Sequence, residues 1–190
     1  AHCLDKTVAK IENAVLSALE HTPPELYADI VQNGIITADF EPKAGDEQLI
    51  ADIRHRYADK PLVLFVGRHI SYKGIDILIE AAKLLKSDCR ILIAGTGPLT
   101  EELKRRSTSE KVVFTGRLSA DELRCHTYAA DVFAFPSNTK AEAFGVALAE
   151  AMYCRCAPVV FRLEGSGVNW VSVKDETGLE VPLGDAEAFA

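Results

Sequence analysis

The chain has 190 residues, of which 48% are hydrophobic and 26% charged, with a net charge of −7. It can therefore bury a full core and is not of a disordered type, and it has no basic excess with which to displace counterions as a general nucleic-acid binder. No apolar run approaches the roughly 20 residues of a membrane span. The length corresponds to one large domain, or one domain with an appendage. The five cysteines form no C-x-x-C pair, and Cys125-His126 and Cys154-Arg-Cys156 match no common zinc spacing. They read as buried, reduced thiols of a cytosolic protein.

Residues 4–20 carry Leu4, Val8, Ile11, Val15 and Leu19 on one helical face. Pro23 and Pro24 end that helix, and Ile30-Val31 runs into the turn dipeptide Asn33-Gly34. Residues 37–46 look like a linker and 47–57 like a helix. From there strands and helices alternate. Leu62–Val66 is an apolar strand, and Ile75 to Leu85 a helix with Ile75, Leu78, Ile79 and Ala82 on one side. Arg90–Ala94 is the next strand, followed by Gly95-Thr-Gly97-Pro98 and a helix from about 99 to 107. Val112–Phe114 is a strand, and Ser119-Ala-Asp-Glu122 is a capping box for the helix after it. Asp131–Phe135 is a strand, Phe144 to about Cys154 a helix, and Pro158–Phe161 and Gly178–Val181 complete the strands. Asp185 caps a final helical start. Strands apolar on both faces and joined by helices imply an α/β fold, a Rossmann-like parallel sheet flanked by helices. The two ends, Ala1-His-Cys and Asp185-Ala-Glu-Ala-Phe-Ala190, read as cut from a longer protein.

In open parallel sheets, ligands bind at the carboxyl ends of the strands. Five features fall there: Gly67-Arg68, Gly95-Thr-Gly97, Gly116-Arg117, Pro136-Ser137 and the segment Glu142–Glu150. Arg68 and Lys73 flank a strand exit and the start of its helix, where exposed amides and the helix dipole favour a diphosphate. The order is not that of a Walker loop. Gly95-Thr-Gly97 resembles half of a dinucleotide fingerprint, but Thr100 replaces the third glycine and no acidic residue follows near Thr115. This opposes NAD binding, and the two glycines serve either a tight turn or ligand contact. Glu142 and Glu150 are the sharpest signal. With a helix starting near Gly145, they stand roughly 10–12 Å apart along its axis. That is too wide for the pair of a retaining hydrolase, at about 5–5.5 Å. It suits one carboxylate on a ribose and another on a sugar. His69, next to Arg68, reads as a surface residue, with contact to a ligand as the alternative.

The ordered set Gly67-Arg68…Lys73-Gly74, Gly95-Thr-Gly-Pro98, Phe114-Thr-Gly-Arg-Leu118, Asp131-Val-Phe-Ala-Phe-Pro-Ser137, Glu142-x-Phe-Gly…Glu150-Ala-Met and Thr177-Gly-Leu-Glu-Val-Pro-Leu-Gly-Asp185 resembles the donor-binding half of family-4 retaining glycosyltransferases of the GT-B fold. Gly165-Ser-Gly-Val-Asn-Trp-Val171 further resembles a bacterial polysaccharide branch. The resemblance implies that Arg68 and Lys73 hold the donor diphosphate. It places Glu142 beside the transferred sugar, with the amides of Phe144, Gly145 and Val146 near its hydroxyls or the phosphate. Glu150 would bind the ribose, and Arg117 and Leu118 would meet the base. Gly67, Gly95 and Gly97 would line the donor site. Two positions depart from the family pattern: Arg155 and Ala143 stand where glycine is usual. The departures bear on the turn after the helix and, mildly, on the glutamate loop.

The implied function is hexosyl transfer from a nucleoside-diphosphate sugar to a glycan or lipid-linked acceptor. No metal or other cofactor is expected. Residues 1–35 would be an N-terminal helix and interdomain link, or else a remnant outside the domain, and residues 36–190 the nucleotide-sugar domain. The acceptor would be met through a separate domain, so this stretch alone is expected to bind donor without efficient transfer. The location would be cytoplasmic, or peripheral at the inner face of the membrane, with no nucleic-acid partner. The alternatives are a sugar-nucleotide epimerase of the same fold and a nucleotide-binding module without catalysis.

Overall fold

The computed structural model describes residues 37–142 and 144–190. The expected helix at 4–20, the turn at Asn33-Gly34, the proposed link at 1–35 and the departure at Ala143 lie outside the described residues. A 3-10 turn at Thr37–Phe40 opens the described chain. The elements that follow are α1 (Asp46–Arg56), β1 (Leu62–Val66), a 3-10 turn (Ser71–Lys73), α2 (Ile75–Leu84), β2 (Arg90–Ala94), α3 (Thr100–Arg106), β3 (Val112–Gly116) and α4 (Ala120–Ala129). They continue with β4 (Val132–Phe135), α5 (Val146–Tyr153), β5 (Ala157–Phe161), α6 (Val168–Val171), β6 (Leu179–Val181) and α7 (Ala186–Phe189).

The strands form one six-stranded parallel sheet in the order β3-β2-β1-β4-β5-β6. Alternation along each strand sorts the apolar side chains onto two faces. Leu62 and Leu64, Leu92 and Ala94, and Phe133 and Phe135 join the core beneath α1, α4 and α5. Phe65, Ile91, Ile93 and Ala134 join the core beneath α2 and α3. Both faces are thus covered, as an all-parallel sheet requires. The direction in which strands are added reverses after β3, and the helices change face there because parallel crossovers are right-handed.

The helix ends follow the residues at them. Ser119 accepts from the Glu122 amide while the Glu122 carboxylate accepts from the Ser119 amide, which completes the capping box. Asp185 Oδ1 accepts from the Ala188 amide. After α5, Arg155 adopts φ 66. Its amide donates to the Met152 carbonyl at 2.9 Å, and the Cys156 amide donates to the Ala151 carbonyl at 3.0 Å. This is the Schellman arrangement that usually employs glycine, so the turn forms with arginine in it.

Two expectations need correction. Residues 37–46 are not a loose linker. Phe40 is buried, the Tyr128 hydroxyl donates to its carbonyl at 3.0 Å, and Asp46 is buried in an ion pair. His69 is not on the surface but fully buried. It sits between the Phe65 and Phe114 rings, with Nδ1 2.9 Å from Thr100 Oγ1. The short α6 has no expected counterpart, because one turn is too brief to show a 3.6-residue period. Cys89, Cys125, Cys154 and Cys156 are free and buried, in line with the expectation for these four; Cys3 lies outside the described residues.

Candidate functional site

The reversal of strand order falls between β1 and β4, and a crevice opens outside their carboxyl ends at such a switch point. The loop after β1 carries Gly67, Arg68 and Lys73; the loop after β4 carries Pro136, Ser137 and Glu142. The two loops are joined backbone to backbone. The Asn138 amide donates to the Tyr72 carbonyl at 2.9 Å. Gly74, at φ 64, lets α2 start against the Pro136 carbonyl, whose oxygen would lie 1.9 Å from any added Cβ. Only glycine fits this position, on both steric and conformational grounds.

Lys73 Nζ donates to Glu142 Oε2, and Ser137 Oγ donates to the same oxygen at 2.9 Å. The ammonium lies 5.4 Å from the Tyr72 ring centroid and 5.5 Å from that of Phe135, a cation held against two aromatic faces. Lysine and glutamate are therefore oriented by each other, although 69 residues separate them. Arg68 is exposed, and its guanidinium makes no hydrogen bond or ion pair among the described residues. Beside this pair, Gly145 at φ 82 starts α5, whose first amides have no intrahelical partners. Phe144 turns its side chain into the core, and Val146 is exposed at the helix start.

Gly95 and Gly97 have a structural reason of their own. A Cβ on Gly95 would meet the Gly67 carbonyl oxygen at 2.0 Å, and one on Gly97 the His69 carbonyl oxygen at 2.5 Å. The β2 loop is thus pressed against the β1 loop and supports Arg68 from behind. Thr100 completes this support: its Oγ1 accepts from the Gly97 amide and donates to the Gly97 carbonyl, each at 2.8 Å. The substitution that opposed a dinucleotide fingerprint is therefore part of the turn. Arg117 and Leu118 follow β3 directly; Arg117 is exposed and Leu118 packs against the core.

Glu150 lies on α5, half-buried, and its carboxylate has no hydrogen-bond partner among the described residues. Burial, with the Asp39 carboxylate adding to it, pushes its carboxyl up to about 7. Asp39 is a neighbour that the spacing of the glutamates could not reveal. The folded value stands above the unfolded one, about 4.3, so the native state binds the extra proton. This contribution to stability is complete below the unfolded value and is lost as pH rises through about 7. Glu150→Gln is therefore expected to raise Tm over wild type at pH 8 and to lose most of that gain at pH 5. Thermal scans at both pH values check this, and an identical difference at both would contradict it.

Residues 60–190 match the family described as glycosyl transferases group 1. The GDP-mannose-dependent alpha-(1-6)-phosphatidylinositol monomannoside mannosyltransferase of Mycolicibacterium smegmatis is 35% identical over 187 residues, which cover 91% of this chain and 45% of that protein. The O-antigen chain mannosyltransferase C of Escherichia coli is 33% identical over 148 residues, 76% of this chain and 38% of that protein. Among solved structures, sucrose-phosphate synthase from Thermosynechococcus elongatus superposes with a TM-score of 0.62 at 31% identity, covering 73% of this chain and 37% of that one. HepE of Anabaena, crystallised with UDP and glucose, superposes with a TM-score of 0.69 at 20% identity, covering 80% of this chain and 42% of that one. That last likeness bears on the fold alone. The chain spans less than half the length of these relatives.

Proposed function

The chain belongs to the glycosyl transferases group 1 family, and from that premise we propose that it binds the donor for a retaining transfer. The donor is a nucleoside-diphosphate sugar, and the hexosyl group passes to a glycan or lipid-linked acceptor. The observation that carries the reading is the Lys73–Glu142 pair at the β1/β4 switch point, beside the free amides of α5. A cation for the phosphates and a carboxylate for the sugar hydroxyls stand together there.

Cleavage of the donor leaves a nucleoside diphosphate that gains negative charge. Arg68, Lys73 and the α5 amides oppose that charge with groups already in place, so little reorganisation is needed. An ammonium has three donors, and Lys73 can hold Glu142 and a phosphate oxygen together. Glu142 takes a hydroxyl of the transferred sugar, and Glu150 takes the ribose. Arg117 and Leu118 follow a strand two places from β1, about 10 Å away, a distance suited to the base. The charge on the leaving group is met by these groups without a metal ion. A lipid-linked acceptor is supported by the mycobacterial relative, whose name specifies a phosphatidylinositol mannoside. Among the described residues no helix is long and apolar enough to cross a membrane, and a cytoplasmic site at the inner membrane face fits such an acceptor.

Calorimetric titrations with GDP, UDP and dTDP, and with their sugar conjugates, test the reading. Glu150→Gln is expected to weaken free nucleoside diphosphate and sugar nucleotide alike, by the worth of one hydrogen bond, roughly 0.5–1.5 kcal/mol. Glu142→Gln is expected to spare the free nucleotide and weaken only the conjugate. The same titrations in EDTA should return unchanged affinities. Equal loss of free nucleotide in both variants would refute the division of roles, and loss of binding in EDTA would remove the cationic account.

A further inference from the structure

The segment Gly165-Ser-Gly-Val-Asn-Trp-Val171 has no part in the donor contacts just described, yet it touches the site. Ser166 lies between β5 and α6 and is 4% exposed. Its hydroxyl donates to the main-chain carbonyl of Glu142 at 2.6 Å and accepts from the Val168 amide at 3.2 Å. A second approach lies beside it, where a Cβ on Gly165 would be 3.2 Å from Lys140 Nζ. The base of the loop is fastened by Asn169. Its Oδ1 accepts from the Leu163 amide at 2.7 Å, and its Nδ2 donates to the Phe161 carbonyl at 3.0 Å and to Glu180 Oε2 at 2.9 Å. The loop is thus anchored to β5 and β6 and ends on Glu142.

The Glu142 carboxylate is held from the other side at one oxygen only. Lys73 Nζ and Ser137 Oγ both donate to Oε2, and Oε1 has no donor among the described residues. An ionised carboxylate accepts at both oxygens, so Oε1 is the one left for a ligand. Glu142 itself precedes α5, in irregular chain where its amide makes one backbone bond, to the Thr139 carbonyl at 3.1 Å. No helix holds its peptide plane. Ser166 supplies a buried donor that does.

We infer that Ser166 is a positioning residue: by holding the Glu142 carbonyl it sets the direction in which Glu142 offers Oε1 to a hydroxyl of the donor's sugar. Ser137 and Lys73 fix the other oxygen. This rests on the donor-site reading above. Loss of the Ser166 hydroxyl leaves a buried carbonyl without its donor and frees the peptide to turn. A displacement of 1 Å at a reacting group is enough to cost about a hundredfold.

The test is the ratio of Kd for a sugar nucleotide to Kd for its free nucleotide, measured with GDP-mannose against GDP and UDP-glucose against UDP. Ser166→Ala is expected to leave the free-nucleotide Kd unchanged and to raise the ratio about fivefold or more, the worth of one hydrogen bond. Ser166→Cys keeps the shape of the side chain at a slightly larger size, with a weaker donor, and should raise the ratio in the same direction; it carries the comparison should the alanine variant not fold. A loss confined to general stability would change both Kd values together, and that result overturns the inference. So does an unchanged ratio. An unchanged ratio in the Ser166 variants beside a raised one in Glu142→Gln removes Ser166 alone. A wild-type protein that binds neither pair removes the donor site itself and this inference with it.

Discussion

Arg124→Ala is expected to cost about 3–5 kcal/mol of folding stability, the usual consequence of leaving one member of a buried ion pair without its partner. Arg124 is 1% exposed. Its Nε and Nη2 donate to the two oxygens of Asp46, each at 2.8 Å, and its Nη1 donates to Asp121 at 2.7 Å. The pair ties α4 to α1, and the Lys43 amide completes the shell of Asp46 at 2.7 Å. Truncating the arginine leaves a largely buried carboxylate without its partner. At this size the loss corresponds to a fall in Tm of roughly 6–20 °C. Replacing both partners with apolar residues should recover most of it, since burying the charges is itself costly. The guanidinium holds the Asp46 carboxyl well below the usual carboxylate range. The pair's contribution is therefore present above the unfolded value of about 3.9 and is lost as pH falls below it toward the depressed folded value. Urea denaturation of the single and double variants at pH 7 decides the matter. A single variant within about 1 kcal/mol of wild type, the scale of an exposed pair, would mean that the guanidinium is not the tie between the two helices.

Lys73→Ala is expected to weaken nucleoside-diphosphate binding by roughly 1.5–3 kcal/mol, about ten- to a hundredfold. The upper end is the better expectation. Lys73 is held by Glu142 and by the faces of Tyr72 and Phe135, so little side-chain freedom is lost when a phosphate binds. Its removal also leaves the Glu142 carboxylate unneutralised beside the phosphates. Arg68→Ala belongs at the lower end, because Arg68 is exposed and its charge is screened by salt. Raising ionic strength should accordingly weaken wild type and Lys73→Ala more than Arg68→Ala. Calorimetry at two salt concentrations separates the two cations. Wild-type affinity in both variants would remove them from the site.

The elements of this chain are legible from its local patterns. Short, mostly apolar runs of three to five residues mark the strands, and the strand–helix alternation announces a parallel sheet covered on both faces. The Ser119–Glu122 capping box and the Asp185 cap are read directly from residue spacing and appear in the structure as such. These are interactions within a few residues, whose geometry is set by the chain itself. The ordered motifs likewise pointed to one end of the sheet before any strand was paired.

Tertiary structure alone decided which of those motifs meet. The order β3-β2-β1-β4-β5-β6 puts the loop after β1 beside the loop after β4, and so makes Lys73 a partner of Glu142 rather than of the nearer Gly95–Gly97 turn. His69, a polar residue next to an exposed arginine, carries no local sign of burial; packing against Phe65 and Phe114 and a bond to Thr100 place it inside. Arg124 and Asp46, 78 residues apart, look like ordinary surface charges on two amphipathic helices until those helices are laid side by side. Ser166 belongs to a loop whose role depends on reaching a carbonyl 24 residues earlier. Side-chain periodicity reports which face of an element is buried. It carries no information about which element lies opposite, because that is settled by the summed packing of residues distant along the chain.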